Sequence, residues 1–290
     1  MVVVPEASRQ KDEPLGSKPK HWYEAADSSW HIFKQARPGE DWSEKVACEI
    51  AALLEIPHAH VDLAVFGEIP GVTSPSFVPA GASLIHGNEL MSEVVPEYPL
   101  EQRWRVSKHS LNNALNVLAA ASPSPPLDYP NRLGLEWREI FSGYLLLDAL
   151  IGNTDRHHEN WALVRWGKVD YLAPSYDHAA SLGRNESDAA RAARLATRDP
   201  GYTVQAYANR ARSAFYRMEE DVRPMLTFDA FQGLLERFPA ARVWLDILAS
   251  TETDEFQRIL ERIPGERISH VAREFAFRIL CHNRERLLGL

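Results

Sequence analysis

Gly152-Asn153-Thr154-Asp155-Arg156-His157-His158-Glu159-Asn160, followed after a hairpin by Tyr176-Asp177-His178, is the stretch on which the reading of this chain turns. It sets carboxylates, a carboxamide and adjacent histidines between two apolar runs. Upstream, residues 145–151 read as the end of a buried helix. Downstream, residues 161–166 and 169–173 read as two short strands joined by the two-residue turn Gly167-Lys168. If Trp166 pairs with Val169, Asn160 falls opposite Ser175, two residues short of Asp177. Asp155, Asn160 and Asp177 then converge at one end of the hairpin. An Asp to handle an incoming nucleophile, with an Asn and an Asp for a divalent metal, is the equipment of phosphoryl transfer.

The whole-chain totals narrow the class. The 290 residues carry 32 Lys and Arg against 40 Asp and Glu, a net charge of −8. That balance argues against direct nucleic-acid binding through a broad basic surface, and against residence on an anionic membrane. Hydrophobic content of 45% is that of an ordinary globular protein. Cys48 and Cys281 lie in apolar helical contexts and read as free buried thiols. No apolar run is long enough to span a bilayer, and residues 1–5 are too short for a signal core. A cytoplasmic location is expected.

Working outward from the central stretch, three regions are expected: a flexible N-terminus at 1–15, a small lobe at 16–91, and a helical lobe at 92–290 with the catalytic hairpin at 155–177. Gly16-Ser17-Lys18 precedes paired strands, and its backbone N–H groups could fold over phosphates, although an ordinary turn before a hairpin is the plainer reading of the residues alone. Lys34 ends a strand, sharing a face with Trp30 and Ile32 while His31 and Phe33 point the other way. Asp41-Trp42-Ser43 reads as an N-cap, with apolar residues at helical spacing behind it. Glu44 borders the buried face of that helix. A strand lysine followed ten residues later by an inward helix glutamate matches the Lys–Glu pair of kinase small lobes; serving the helix dipole is the plain alternative.

The runs at 72–78 and 82–90 are expected to complete the small sheet, the second passing between lobes with the backbone of Ile85 and His86 facing an adenine. Helices are expected over 101–121 and 133–151. After Asp177, a stretch rich in Ala and Arg reads either as an activation segment or as an exposed helix, and helical patterning dominates from about residue 203. In chemical terms, Asp155 would orient a hydroxyl, Asn160 and Asp177 would hold Mg²⁺ on ATP phosphates, and His157 would orient the loop or assist proton transfer. A transition-metal site of His157, His158 and His178 is the competing chemistry.

Residues 150–157, Asn160 and Tyr176-Asp177-His178 resemble the catalytic and metal-binding motifs of the HipA-like kinases, bacterial serine/threonine kinases with an atypical protein-kinase fold. Trp30-His31-Ile32-Phe33-Lys34, Glu44 and the helix that follows are similar to their ATP-lysine region. The resemblance implies an α+β, two-lobed protein-kinase-like fold, with a small β-rich N-lobe and a larger, mostly helical C-lobe. It implies Asp155 as catalytic base, Asn160 and Asp177 on Mg²⁺, Lys34 on ATP, and residues 16–20 as a phosphate loop. The partner implied is a protein substrate with a Ser or Thr acceptor. Family toxins carry an extra N-terminal subdomain that helps engage a DNA-binding antitoxin, and the kinase core here begins too early for one. A stand-alone kinase is therefore expected over an antitoxin-bound toxin. Asp155-Arg156-His157-x-x-Asn160 is also similar to the catalytic loop of phosphatidylinositol 3-/4-kinases, which makes a lipid kinase the alternative; a nucleotide-binding pseudokinase is the second.

Overall fold

The computed structural model describes residues 1–5, 8–12 and 19–290. Its first sheet is built from β1 (Val2–Val4), β2 (Arg9–Asp12), β3 (Lys20–Glu24), β4 (Trp30–Gln35), β5 (Asp62–Phe66) and β6 (Ile69–Pro75). The strand order is β1-β5-β6-β4-β3-β2. Alternation sends Phe33 to one face, where it clusters with Val4, Tyr23 and Ala64, so Lys34 leaves β4 on the other. Helix α1 (Glu40–Leu53) packs on this sheet through β5 and β6 and also reaches the helical lobe.

A second sheet, in the order β7-β8-β9, joins the lobes: β7 (Ser83–His86), β8 (Ala162–Trp166) and β9 (Val169–Leu172). Behind it lie α2 (Gly87–Val94), α3 (Leu111–Ala121), α4 (Trp137–Ile151), α5 (Asp188–Ala196), α6 (Val204–Ala208), α7 (Thr227–Arg237), α8 (Val243–Ser250), α9 (Thr253–Glu261) and α10 (His270–Leu288). Helix α4 is the axis of this lobe. Its residues 140–151 are all buried, as expected for a helix apolar all round, and it packs against α7 and α10. Gly143 lets α8 come close: a Cβ there would sit 2.7 Å from the Trp244 ring. Gly152, at φ +64°, ends the helix in the left-handed conformation that glycine adopts without penalty, and hands the chain to the central stretch.

Several expectations need correction. The lead-in at 1–15 contributes β1, whose valines pair in parallel with residues 64–66, and β2, which pairs with β3; non-local partners supply what local patterning lacks. The run at 82–90 does not complete the small sheet. Only Ser83–His86 is strand, it pairs with β8 across the lobe junction, and Gly87 then opens α2, where the His86 N–H is taken by the Glu89 carboxylate at 3.1 Å. The helix expected from residue 101 begins at Leu111, because Ser110 accepts the Asn113 N–H and caps it there. The helix expected from 133 begins at Trp137. Asp41 does not cap α1; Gly39 precedes the helix, and Asp41 is buried against Arg267 at 2.8 Å. The Ala- and Arg-rich stretch is a helix, α5, whose buried Arg191 donates to the carbonyls of Gly183 and Arg184.

Candidate active site

The hairpin register is the one implied by its turn. Trp166 pairs with Val169 and Leu163 with Leu172, and the Ala173 N–H donates to the Ala162 carbonyl at 3.0 Å. Both ends of the hairpin are held by one buried cation. Arg156, 1% exposed, donates through Nε and Nη2 to both oxygens of Asp148 at 2.8 and 2.7 Å. Its Nη1 donates to the Asn160 carbonyl at 2.8 Å and its Nη2 to Ser175 Oγ at 2.9 Å. The arginine thus ties α4 to the loop after it and to the strand end that carries Asp177. Asp148 also accepts from Asn153 Nδ2 at 2.8 Å, and Asn153 Oδ1 accepts the Asp155 N–H at 3.2 Å. Sequence reasoning missed Asp148 and Arg156. The signal was present: a carboxylate inside Leu145-Leu146-Leu147-Asp148-Ala149-Leu150 must find a cation, because an isolated buried charge is too costly.

Around this scaffold the polar groups converge. Asn160 Nδ2 donates to the Asp155 carbonyl at 2.6 Å. His157 Nε2 lies 3.7 Å from Asp155 Oδ1. Asp177 stands at φ +60°, a conformation a non-glycine residue adopts at a cost, and its Oδ1 lies 3.6 Å from Lys34 Nζ. Glu44 Oε1 is 3.5 Å from the same Nζ. Lys34 is therefore the meeting point of the lobes. Burial alone would lower its pKa, but the carboxylates of Asp177 and Glu44 outweigh that and hold it above the ordinary lysine range. Two further contacts seat α1 on the segment after Asp177. Ser43 Oγ donates to the Ala179 carbonyl at 2.7 Å, and Arg184 pairs with Glu40 at 3.0 Å.

The other expected residues are distributed as follows. Ile85 lies on β7 opposite Leu163. His86 Nδ1 is 3.0 Å from the Glu159 carbonyl and from the Tyr176 hydroxyl. Gly16, Ser17 and Lys18 lie outside the described residues. The histidines do not assemble into a metal site: His158 Nδ1 faces the Tyr98 hydroxyl at 2.6 Å and His178 Nε2 faces Ser175 Oγ at 2.7 Å. No cluster of three or more metal-ligating His, Cys, Asp or Glu occurs among the described residues.

Burial keeps these histidines neutral. It pushes His157 and His158 down to about 4 and His109 to about 3, and it lowers His178 well below the usual value. An unfolded chain takes up a proton on each near pH 6.5, whereas folded His157 and His158 stay neutral until about pH 4 and the other two titrate below their ordinary range. Their stability contribution is thus complete above pH 6.5 and falls as pH drops from 6.5 towards 4, by about 1.4 kcal/mol per pH unit per histidine. Urea midpoints at pH 7 and pH 5 should show the decline, and a midpoint independent of pH would contradict it.

The protein has a two-lobed, kinase-like α+β fold, with a curled small lobe and a helical lobe meeting at the Lys34 cluster. Its fold is that of the HipA-like atypical kinases. It is similar to the Helicobacter pylori proinflammatory kinase CtkA, with a TM-score of 0.72 at 18% identity over 99% of this chain and 96% of that one. It is also similar to HipA of the Shewanella oneidensis MR-1 toxin–antitoxin system, solved with HipB and operator DNA, with a TM-score of 0.58 at 13% identity. That match covers 96% of this chain and 65% of HipA. No family model and no curated protein matches the chain. No helix among the described residues is long and apolar enough to cross a membrane.

Proposed function

We propose that the protein is an ATP- and Mg²⁺-dependent serine/threonine protein kinase. The observation that carries this reading is the Lys34 cluster. A half-buried lysine held between Glu44 and Asp177 stands beside the loop that contains Asp155 and Asn160. In this reading Lys34 holds ATP phosphates, Glu44 positions Lys34, and Asp155 orients the acceptor hydroxyl and receives its proton. His157 keeps the loop in place next to Asp155. Positioning of this kind suffices because phosphoryl transfer passes through a loose transition state.

The donor set fits the metal: one carboxylate, from Asp177, and one carboxamide oxygen, from Asn160, suit a hard cation that retains waters. Bound Mg²⁺ supplies neutralising charge on the phosphate oxygens. The adenine would lie along β7 beside Ile85 and His86, on the edge away from β8; the His86 N–H is already engaged by the Glu89 carboxylate. A role as a toxin, and an antitoxin partner, belong to HipA rather than to any feature of this site.

Calorimetry tests the assignment. Asp177→Ala should abolish the Mg²⁺-dependent part of ATP binding and leave the metal-free affinity within a few-fold of wild type. Unchanged metal dependence would remove Asp177 from the metal site. Phosphoserine or phosphothreonine in a protein substrate supports the protein-kinase reading, and label confined to phosphoinositides would replace it with the lipid-kinase alternative.

A further inference from the structure

An exposed tryptophan leans on the catalytic loop without belonging to the core. Trp104 is 57% exposed, and its ring stands edge-on to His157 with centroids 5.3 Å apart. Scattered exposed apolar residues need no explanation, but this one is held in place. Arg103 Nε pairs with Glu159 Oε2 at 2.7 Å, which fastens the segment to the loop between Asp155 and Asn160. Gln102 Nε2 donates to the Trp104 carbonyl at 2.8 Å. Arg105 adopts φ +58°, a left-handed conformation costly for a non-glycine residue. These contacts also fix the local charge. Arg103 is committed to Glu159, and Lys108 Nζ donates to the carbonyls of Pro96 and Glu97 at 2.6 and 3.2 Å. Arg105 is exposed, and no ion pair or side-chain hydrogen bond engages it among the described residues.

Resting on the kinase reading above, we infer that Trp104 and Arg105 form the subsite that selects the acceptor segment of a protein substrate, Trp104 taking an aromatic or aliphatic side chain and Arg105 a neighbouring carboxylate. The reach is suitable. Asp155 Oδ1 is 3.7 Å from His157 Nε2, and the His157 ring is 5.3 Å from Trp104. An extended peptide advances ~3.3 Å per residue, which places a side chain two or three positions from the acceptor over the indole. A flat, rigid indole gives contact area at small entropic cost. The cation beside it disfavours a lysine or arginine guest and favours an acidic one. A phosphoinositide headgroup fits less well. It calls for several free cations, and the neighbours of Arg105 are already engaged.

The test uses synthetic Ser/Thr peptides on one scaffold, with Phe or Ala two or three residues from the acceptor and Glu or Gln beside it. Wild type should prefer the Phe- and Glu-containing peptide. Trp104→Ala should raise KM for that peptide about tenfold at nearly constant kcat, abolish the Phe-over-Ala preference, and leave KM for ATP as in wild type; Trp104→Phe should restore most of the preference. Arg105→Glu should reverse the Glu-over-Gln preference. Equal KM values for wild type and Trp104→Ala on every peptide, with transfer intact, would overturn the subsite and leave the kinase reading standing. Wild-type protein that binds ATP yet labels no peptide, or labels only inositide vesicles, would remove both.

Discussion

Asp155→Asn should lower the rate of phosphate transfer by about 10³-fold while leaving ATP affinity essentially unchanged. The substitution keeps the side chain's size and its place in the loop. It removes the carboxylate that the proposed mechanism uses to accept the proton of an incoming hydroxyl, and losses of a general base fall in the range of ~10² to 10⁴. The loop itself should survive, because its geometry is set by backbone and neighbouring groups: Asn153 Oδ1 accepts the Asp155 N–H, and the Asp155 carbonyl accepts from Asn160 Nδ2. The effect should therefore appear in kcat at saturating ATP. Steady-state transfer measured beside calorimetric ATP binding separates the two quantities. A variant with wild-type kcat would show that Asp155 has no part in the chemistry.

Arg156→Met should destabilise the protein by about 3–5 kcal/mol, since removing one partner of a buried ion pair leaves the other charge uncompensated. Asp148 is 1% exposed and would lose both donors from the guanidinium. The Asn160 carbonyl and Ser175 Oγ would lose theirs as well. For a chain of this size the melting temperature should fall by roughly 10 °C. The double variant Arg156→Met, Asp148→Leu removes both charges and should regain most of the stability, as paired replacement of buried ions by apolar groups often does. It should not regain transfer, because the loop of Asp155 then loses the guanidinium that holds the Asn160 carbonyl and Ser175 Oγ together at the strand end of Asp177. Differential scanning calorimetry gives the first result and a transfer assay the second. Restored activity in the double variant would show that the arginine only stabilises the fold.

Much of the site could be read from the chain because local rules govern its parts. The Gly167-Lys168 turn dictates the register of β8 and β9, and that register brings Asn160 and Ser175 onto one arginine. The ten-residue spacing from a strand lysine to a helix glutamate raised the Lys34–Glu44 pair beside a plain helix-dipole role for Glu44, and the two side chains lie 3.5 Å apart. What escaped depends on contacts between distant segments. Pairing of Ser83 with Arg165 draws β7 out of the small sheet, and no pattern within residues 82–90 announces a partner so far along the chain. The parallel pairing of β1 with β5 is hidden for the same reason. Helix α3 starts late because Ser110 offers a cap that apolar periodicity ignores. Trp104 was passed over because its setting comes from Glu159 and His157, more than fifty residues away.

The most direct measurement is incubation of the purified protein with γ-labelled ATP and Mg²⁺ in the presence of a generic protein substrate and, separately, phosphoinositide vesicles. Label on serine or threonine of protein, dependent on metal and lost in Asp155→Asn, is the predicted result. ATP binding without transfer to itself, to protein or to lipid would contradict it, and would make the Lys34 cluster part of a nucleotide-binding module rather than a catalytic centre.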